Sequence, residues 1–271
     1  MRIHLIKIFL LLFPFLISSA QGLKFYGEFK PGNVVVGAGA NIKEAWLDND
    51  LLQVDGSGTF IFGFDRDAAG THSLKVIYTS GKEEIKKIKL PKRKYQIQKL
   101  KIADKYVTPP KEELERIEVE SQKMKEARAQ VGKVDTALFR SGFIKPAKGR
   151  VSGVFGSQRI LNGVPKNTHN GIDIAADESD PVYAATDGFV RIAGENFYYN
   201  GNFILLDHGQ GLTTVYLHMS KLNVKSGDFV KRGDKIGEVG STGRSTSAHL
   251  HWGVQWYGKR IDPMSLLGIK F

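Results

Sequence analysis

Short runs of alternating apolar and polar residues, each broken by a glycine turn, fill most of this 271-residue chain, and its 30 glycines recur at those breaks. That cadence restricts the stretches to strands and tight turns. In "KPGNVVVG" a Pro-Gly turn precedes a β-branched run, and in "QVDGSGTFIFGF" Phe60, Phe62 and Phe64 share one strand face, read here as buried. "HSLKVIYTSGKEEIKKIKL" turns at Ser80-Gly81 as a hairpin, and its Lys-rich second half reads as a solvated face or as a grip on anionic polymer. Residues 21–106 are therefore expected to form a small β-sandwich. Over 138–271 the pattern resumes, with Asn200-Gly201 and Gly209-Gln210-Gly211 each separating two apolar runs, as in an antiparallel meander. The connection, 107–137, differs in character. Thr108 as a cap, Pro109 and Pro110 at a first turn, and Glu112 and Glu113 at the positive end of the dipole predict a helix, with Glu112 and Arg116 paired at i,i+4. Leu114, Ile117, Met124 and Val131 give it a thin apolar stripe, so it is expected to lie exposed along a neighbour. The expected fold class is mainly β: a small N-terminal β-sandwich, a connecting helix and a C-terminal antiparallel β-sheet domain.

At the start, Arg2 and Lys7 precede an apolar run from Ile8 to Ile17 and the small residues Ser18-Ser19-Ala20. This is the layout of a cleaved signal peptide over residues 1–20. The run is shorter than the roughly 20 residues of a membrane span and holds Pro14; no stable span is expected after cleavage. With no cysteine in the chain, disulfides, a thiol nucleophile and thiolate metal sites are excluded, so any metal must be held by His and carboxylates. Export without cysteine suits a bacterial periplasm or cell envelope. The formal charge of +11 favours a polyanionic partner, and an anionic envelope polymer fits an exported chain. Nucleic acid is not expected, since no helix-turn-helix, zinc finger or aromatic RNA-binding signature is present.

Five of the seven histidines, His169, His208, His218, His249 and His251, lie in the C-terminal part. In "STSAHLHWGVQW", His249 and His251 share one strand face by the two-residue period. They are either two solvated imidazoles or a division of labour, one holding a metal and the other handling a proton. In "THNGIDIAA", Asn170-Gly171 turns into a strand whose Ile172 and Ile174 point inward, leaving Asp173 beside His169. An imidazole and a carboxylate so placed can hold zinc. In "TTVYLHMS", strand alternation places Tyr216 and His218 on one face and Val215 and Leu217 on the other.

Together "NGVPKNTHNGIDIAA", "LLDHGQGLTTVYLHMS" and "GSTGRSTSAHLHWGV" resemble the LytM/lysostaphin-type zinc metallopeptidases of peptidoglycan, family M23, over roughly Lys145 to Pro263. The preceding β-domain and helix resemble the N-terminal part of envelope members from Gram-negative bacteria. The resemblance implies one Zn²⁺ per chain with His169, Asp173 and His251 as ligands, and His218 and His249 as the pair that orients water, takes its proton and stabilises the oxyanion. His208 is expected to be structural or to support the ligands. The implied activity is endopeptidase cleavage of peptidoglycan crossbridge peptides, at D-Ala–diaminopimelate bonds as in envelope relatives. The alternative is a non-hydrolytic wall-binding regulator of another hydrolase. A third reading is a β-protein with a closed structural zinc site, which would need a fourth protein ligand. Tyr216, Tyr198, Arg159 and Asn162 are the expected substrate contacts, although the aromatics of "ENFYYNGN" suit a cap on the meander equally well.

Overall fold

The computed structural model describes residues 22–101, 109–165 and 167–271. The expected signal peptide, 1–20, and the expected cap Thr108 lie outside the described residues. The N-terminal part holds seven strands: β1 (Lys24–Tyr26), β2 (Val34–Ala38), β3 (Ile42–Leu47), β4 (Asp50–Leu52), β5 (Thr59–Gly63), β6 (Thr71–Tyr78) and β7 (Glu83–Lys89). They form two antiparallel sheets, ordered β1-β2-β5 and β4-β3-β6-β7. The β6–β7 hairpin turns at Gly81, whose φ of 83° suits glycine. Phe60, Phe62 and Phe64 are buried in series, the first two rings stacked at 6.1 Å between centroids and the last two edge-to-face at 5.9 Å. Ile61 and its cross-strand partner Val36, on the opposite face, are buried as well, so both faces of this sheet are covered. Strand β7 is exposed along its length except at Ile88, as a Lys-rich outer strand should be.

Beyond strand β8 (Ile97–Leu100), a 3₁₀ turn at Lys111–Glu113 leads into helix α1 (Leu114–Arg128). Only Ala127 of α1 is buried, and Leu114 is exposed, so polar contacts fasten the helix. Arg116 pairs with Glu113 and Glu120 on the helix and not with Glu112. It also donates to Asn196 O, while Glu120 Oε2 accepts the Tyr198 N–H at 2.8 Å.

The C-terminal part contains β9 (Arg150–Gly153), β10 (Gln158–Leu161), β11 (Val164–Pro165), β12 (Gly171–Ala175), β13 (Pro181–Tyr183), β14 (Gly188–Phe197) and β15 (Gly201–Asp207). It continues through β16 (Leu212–Met219), β17 (Lys221–Leu222), β18 (Phe229–Val230), β19 (Lys235–Glu238), β20 (Leu250–Trp256), β21 (Lys259–Ile261) and α2 (Pro263–Leu267). Its main sheet runs β18-β14-β15-β16-β20-β12-β9, with β21 also on β20. A small sheet, β13-β19-β17, lies beside it. Turns at Asn200-Gly201 and Gly209–Gly211 join β14, β15 and β16 as a meander.

The two parts share a sheet and an apolar core across residue 106. Strand β8 pairs in parallel with β10, Ile97 opposite Gln158, and β10 pairs with β11. A parallel pair between distant segments has no turn between its strands, so no local sequence signal announces it. One contiguous apolar core includes Val35 and Phe62 from the first part and Ile204 and Trp252 from the second. Gln210 Nε2 donates to Thr59 O at 2.9 Å, and Arg260 binds Asp65 and Asp67.

Candidate metal centre

Strand β12 supplies the floor of the site. Ile172 and Ile174 are buried in the core, so Asp173 faces the other way. His251 of β20 is its cross-strand partner in register, and such pairs bring side chains into contact. His169 sits in the turn before β12, held by its own N–H donating to Ser157 O at 2.9 Å and its carbonyl accepting from Gly156 N at 2.8 Å. His169 Nε2, Asp173 Oδ1 and His251 Nδ1 converge, separated by 3.0, 3.1 and 2.9 Å. Three neutral or anionic lone pairs aimed at one point repel unless a cation lies between them. Ligands about 2.1 Å from a tetrahedral ion would stand about 3.4 Å apart, close to the separations seen. The donor set therefore fits a divalent metal, and the same three residues are the metal-capable group among the described residues.

The surroundings hold the ligands in that arrangement. His169 Nδ1 lies 3.0 Å from Val154 O, so it carries the proton and leaves Nε2 as the donor to a metal. Burial alone would raise the Asp173 carboxyl, but the two imidazoles set against it outweigh that and hold it well below the usual carboxylate range, so it faces the centre as an anion. Burial pushes His251 down, keeping it neutral. Two glycines make room. A Cβ at Gly153 would sit 2.2 Å from Asp173 Oδ2, and one at Gly171 would sit 2.8 Å from His251 Nε2.

Two further imidazoles stand beside this group. His249 shares the His251 face, and its ring centroid lies 4.9 Å from that of His218. His249 Nδ1 donates to Ser247 O at 2.8 Å, leaving its Nε2 3.8 Å from Asp173 Oδ1. His218 Nδ1 donates to Thr242 O at 2.9 Å, which leaves Nε2 as its acceptor. Burial, with the neighbouring His251 and His249, pushes His218 down to about 4.

Simple alternation misplaces His218. Tyr216 lies opposite Trp252 on the core side, and Leu217 lies opposite His251 on the site side. His218 joins the Leu217 side because the strand bulges there. Its φ is 66°, and the β15–β16 register slips between Ile204/Tyr216 and Asn202/Met219. Tyr216 is fully buried, its hydroxyl accepting from Ala185 N at 3.0 Å, so it cannot touch a substrate as expected. His208 is structural: fully buried, it donates from Nδ1 to Asp187 O at 2.7 Å, and its Nε2 lies 2.8 Å from Thr214 Oγ1.

A cleft runs past the centre in two lobes of about 740 and 540 Å³, both bordered by Tyr199, Asn200, Leu217 and Arg244. Of the aromatics in "ENFYYNGN", Phe197 is buried against Phe203, and Tyr198 is tied through its N–H to α1. Tyr199, under the Arg244 guanidinium at 4.5 Å, is the one that borders the cleft. Asn162 lies at an exposed turn after β10 and is not among the described residues that line either lobe. Arg159 lies on β10, and its side chain is outside the described residues. Sequence reasoning had left Phe197, Tyr198 and Tyr199 open between the groove and a cap on the meander, and it passed over Arg244 and the helix residue Arg128, which also line the cleft.

Residues 167–263 match the model of peptidase family M23. Over 120 residues the chain is 41% identical to peptidoglycan DD-endopeptidase ShyA of Vibrio cholerae, covering 44% of this chain and 27% of that one. It is 41% identical over 98 residues to DD-carboxypeptidase/endopeptidase Mpg of Neisseria meningitidis, covering 36% of this chain and 22% of that one. The chain thus spans about a quarter of the length of these curated relatives. A crystal structure named for peptidase M23 from Pseudomonas aeruginosa superposes with a TM-score of 0.64 at 25% identity, over 90% of this chain and 96% of that one. The matched span contains all three converging donors and both neighbouring imidazoles, so the centre lies within the segment that is similar to peptidase family M23.

Proposed function

We propose that this chain is a zinc-dependent endopeptidase that hydrolyses peptide crosslinks of peptidoglycan, at D-alanyl–diaminopimelate bonds, after export to the periplasm or cell envelope. The observation that carries the reading is the convergence of two imidazoles and one carboxylate beside two more imidazoles with available Nε2 atoms. Two nitrogens and one oxygen suit zinc, and three protein ligands are the pattern of catalytic sites, where structural sites take four. Relatives named as DD-endopeptidases support the choice of bond.

His169, Asp173 and His251 would hold the zinc, which when bound would supply a Lewis acid able to acidify water and polarise the scissile carbonyl. The protein groups do the rest. His249, fixed through Nδ1 to Ser247 O, accepts the proton of the attacking water at Nε2 and delivers it to the leaving amine. His218, neutral and fixed through Nδ1 to Thr242 O, orients that water as an acceptor. Whichever imidazole gains the proton becomes a donor toward the developing oxyanion. An extended peptide lying along β20 meets Leu217, Val215 and Gly253 as a largely apolar floor.

The test is a muropeptide profile by liquid chromatography and mass spectrometry. Sacculi of the diaminopimelate type are digested with the chain, with zinc and with a chelator. Loss of crosslinked dimers and gain of monomers only with zinc supports the reading, and the masses of the new ends name the bond. An unchanged profile with zinc-loaded protein sinks it in favour of the regulator.

A further inference from the structure

Most packed arginines of this molecule have a carboxylate. Arg116 has Glu113 and Glu120, Arg191 has Asp207, and Arg260 has Asp65 and Asp67. Arg128, at the last turn of α1, is different. Half-buried, it donates to the neutral amide of Gln255, and no acidic group contacts it among the described residues. Burial pushes its guanidinium below the ordinary range, and no carboxylate opposes that. A cation at a helix C-terminus is favourable in itself. That does not explain why this one lines the larger lobe of the cleft, where no Asp or Glu stands beside it.

Its place relative to the metal centre follows from strand geometry. Gln255 and His251 lie on the same face of β20, four residues apart. At about 3.3 Å per residue, the Arg128 contact is therefore about 13 Å from the ligand His251 along the strand. An extended peptide over that floor would bring a group three or four residues from its scissile bond to the guanidinium.

We propose that Arg128 of α1 is a substrate-binding residue that anchors a carboxylate of an acidic peptide whose backbone lies along β20 toward the metal centre. This rests on the peptidase reading above for the identity of the cleft, and it makes the connecting helix part of the substrate site. A planar guanidinium already desolvated on one side suits bidentate capture of a carboxylate and discriminates against its amide.

The probe is a crosslinked D-alanyl–diaminopimelate peptide pair whose scissile amide is replaced by a methyleneamino group, made with free and with amidated carboxylates. Binding to the zinc-loaded full chain is measured by calorimetry. The wild-type chain is expected to prefer the free form by about tenfold, Arg128→Gln to bind both forms about equally, and Arg128→Lys to keep part of the preference. Unchanged affinity of Arg128→Gln for the amidated form shows that the variant is folded. If Arg128 only fastens the helix, Arg128→Gln and Gln255→Ala weaken both forms alike and the preference survives, which overturns the proposal. Equal affinity of the wild-type chain for the two forms, or no binding of either, also overturns it. Hydrolysis of the parent amide is scored separately: a preference lost in Arg128→Gln without any bond cleavage keeps the anchor and removes the peptidase reading.

Discussion

Removing the imidazole of His251 deletes one of three converging donor atoms, whereas removing that of His249 deletes none. His251→Ala is therefore expected to lose bound zinc and hydrolysis together. His249→Ala should keep its metal and lose about 10²–10⁴-fold in kcat, the usual share of a proton-transfer group. Metal content by plasma emission beside turnover checks both, and loss of zinc in His249→Ala as complete as in His251→Ala would refute the division of roles. Gly153 belongs to the same argument. A methyl there would collide with Asp173 Oδ2, so Gly153→Ala should weaken zinc binding with little change in the far-ultraviolet dichroism. His208, outside the centre, bears on pH. Burial pushes its folded value down to about 4 from 6.5, so the folded state keeps it neutral while the unfolded chain takes up a proton. Its contribution is full above pH 6.5 and is lost as pH falls toward 4, at a slope approaching about 1.4 kcal/mol per pH unit. Urea melts across that window should show a shallower pH dependence in His208→Gln than in wild type, and equal slopes would contradict the assignment.

At the scale of elements, the helix and the loop after β14 act as one piece. Glu120 accepts the Tyr198 N–H, and Tyr199 next to it borders the cleft. Glu120→Ala is expected to speed amide exchange at Tyr198 and to raise KM for a crosslinked peptide more than it lowers kcat. Unchanged exchange would show that the loop holds itself. The strands and hairpins of this molecule were legible because period-2 alternation and turn glycines are local signals, as at Phe60–Phe64 and Ser80-Gly81. The donors His169, Asp173 and His251 were named through the resemblance of three separated motifs to a known family, since spacing alone left them open. Alternation failed at His218, where a positive φ inside β16 reverses the face, and that failure put Tyr216 on the wrong side. Arg128 was unreadable, since nothing in a helix pattern says which remote strand its last turn will meet.

For the whole molecule, the shared core predicts one unfolding event. The N-terminal sheet packs on Ile261 and Trp256, and Gln210 and Arg260 reach back to Thr59 and Asp65. Trp46 lies in the first part, and Trp252 and Trp256 lie in the second, so tryptophan variants can report each separately. Coincident thermal transitions are expected from both reporters, and two resolved midpoints would mean independent units. The parallel β8–β10 pair fastens the chain on both sides of α1, since β8 precedes the helix and β10 follows it. A segment anchored at each end has no reach of its own, unlike a flexible tether that lets a module sample a volume. Whatever surface the lysines of β7 rest upon, the cleft would therefore be presented to it at one height and one angle. Its reach would be set by how the whole body lands, in the manner of a plane iron fixed in its block.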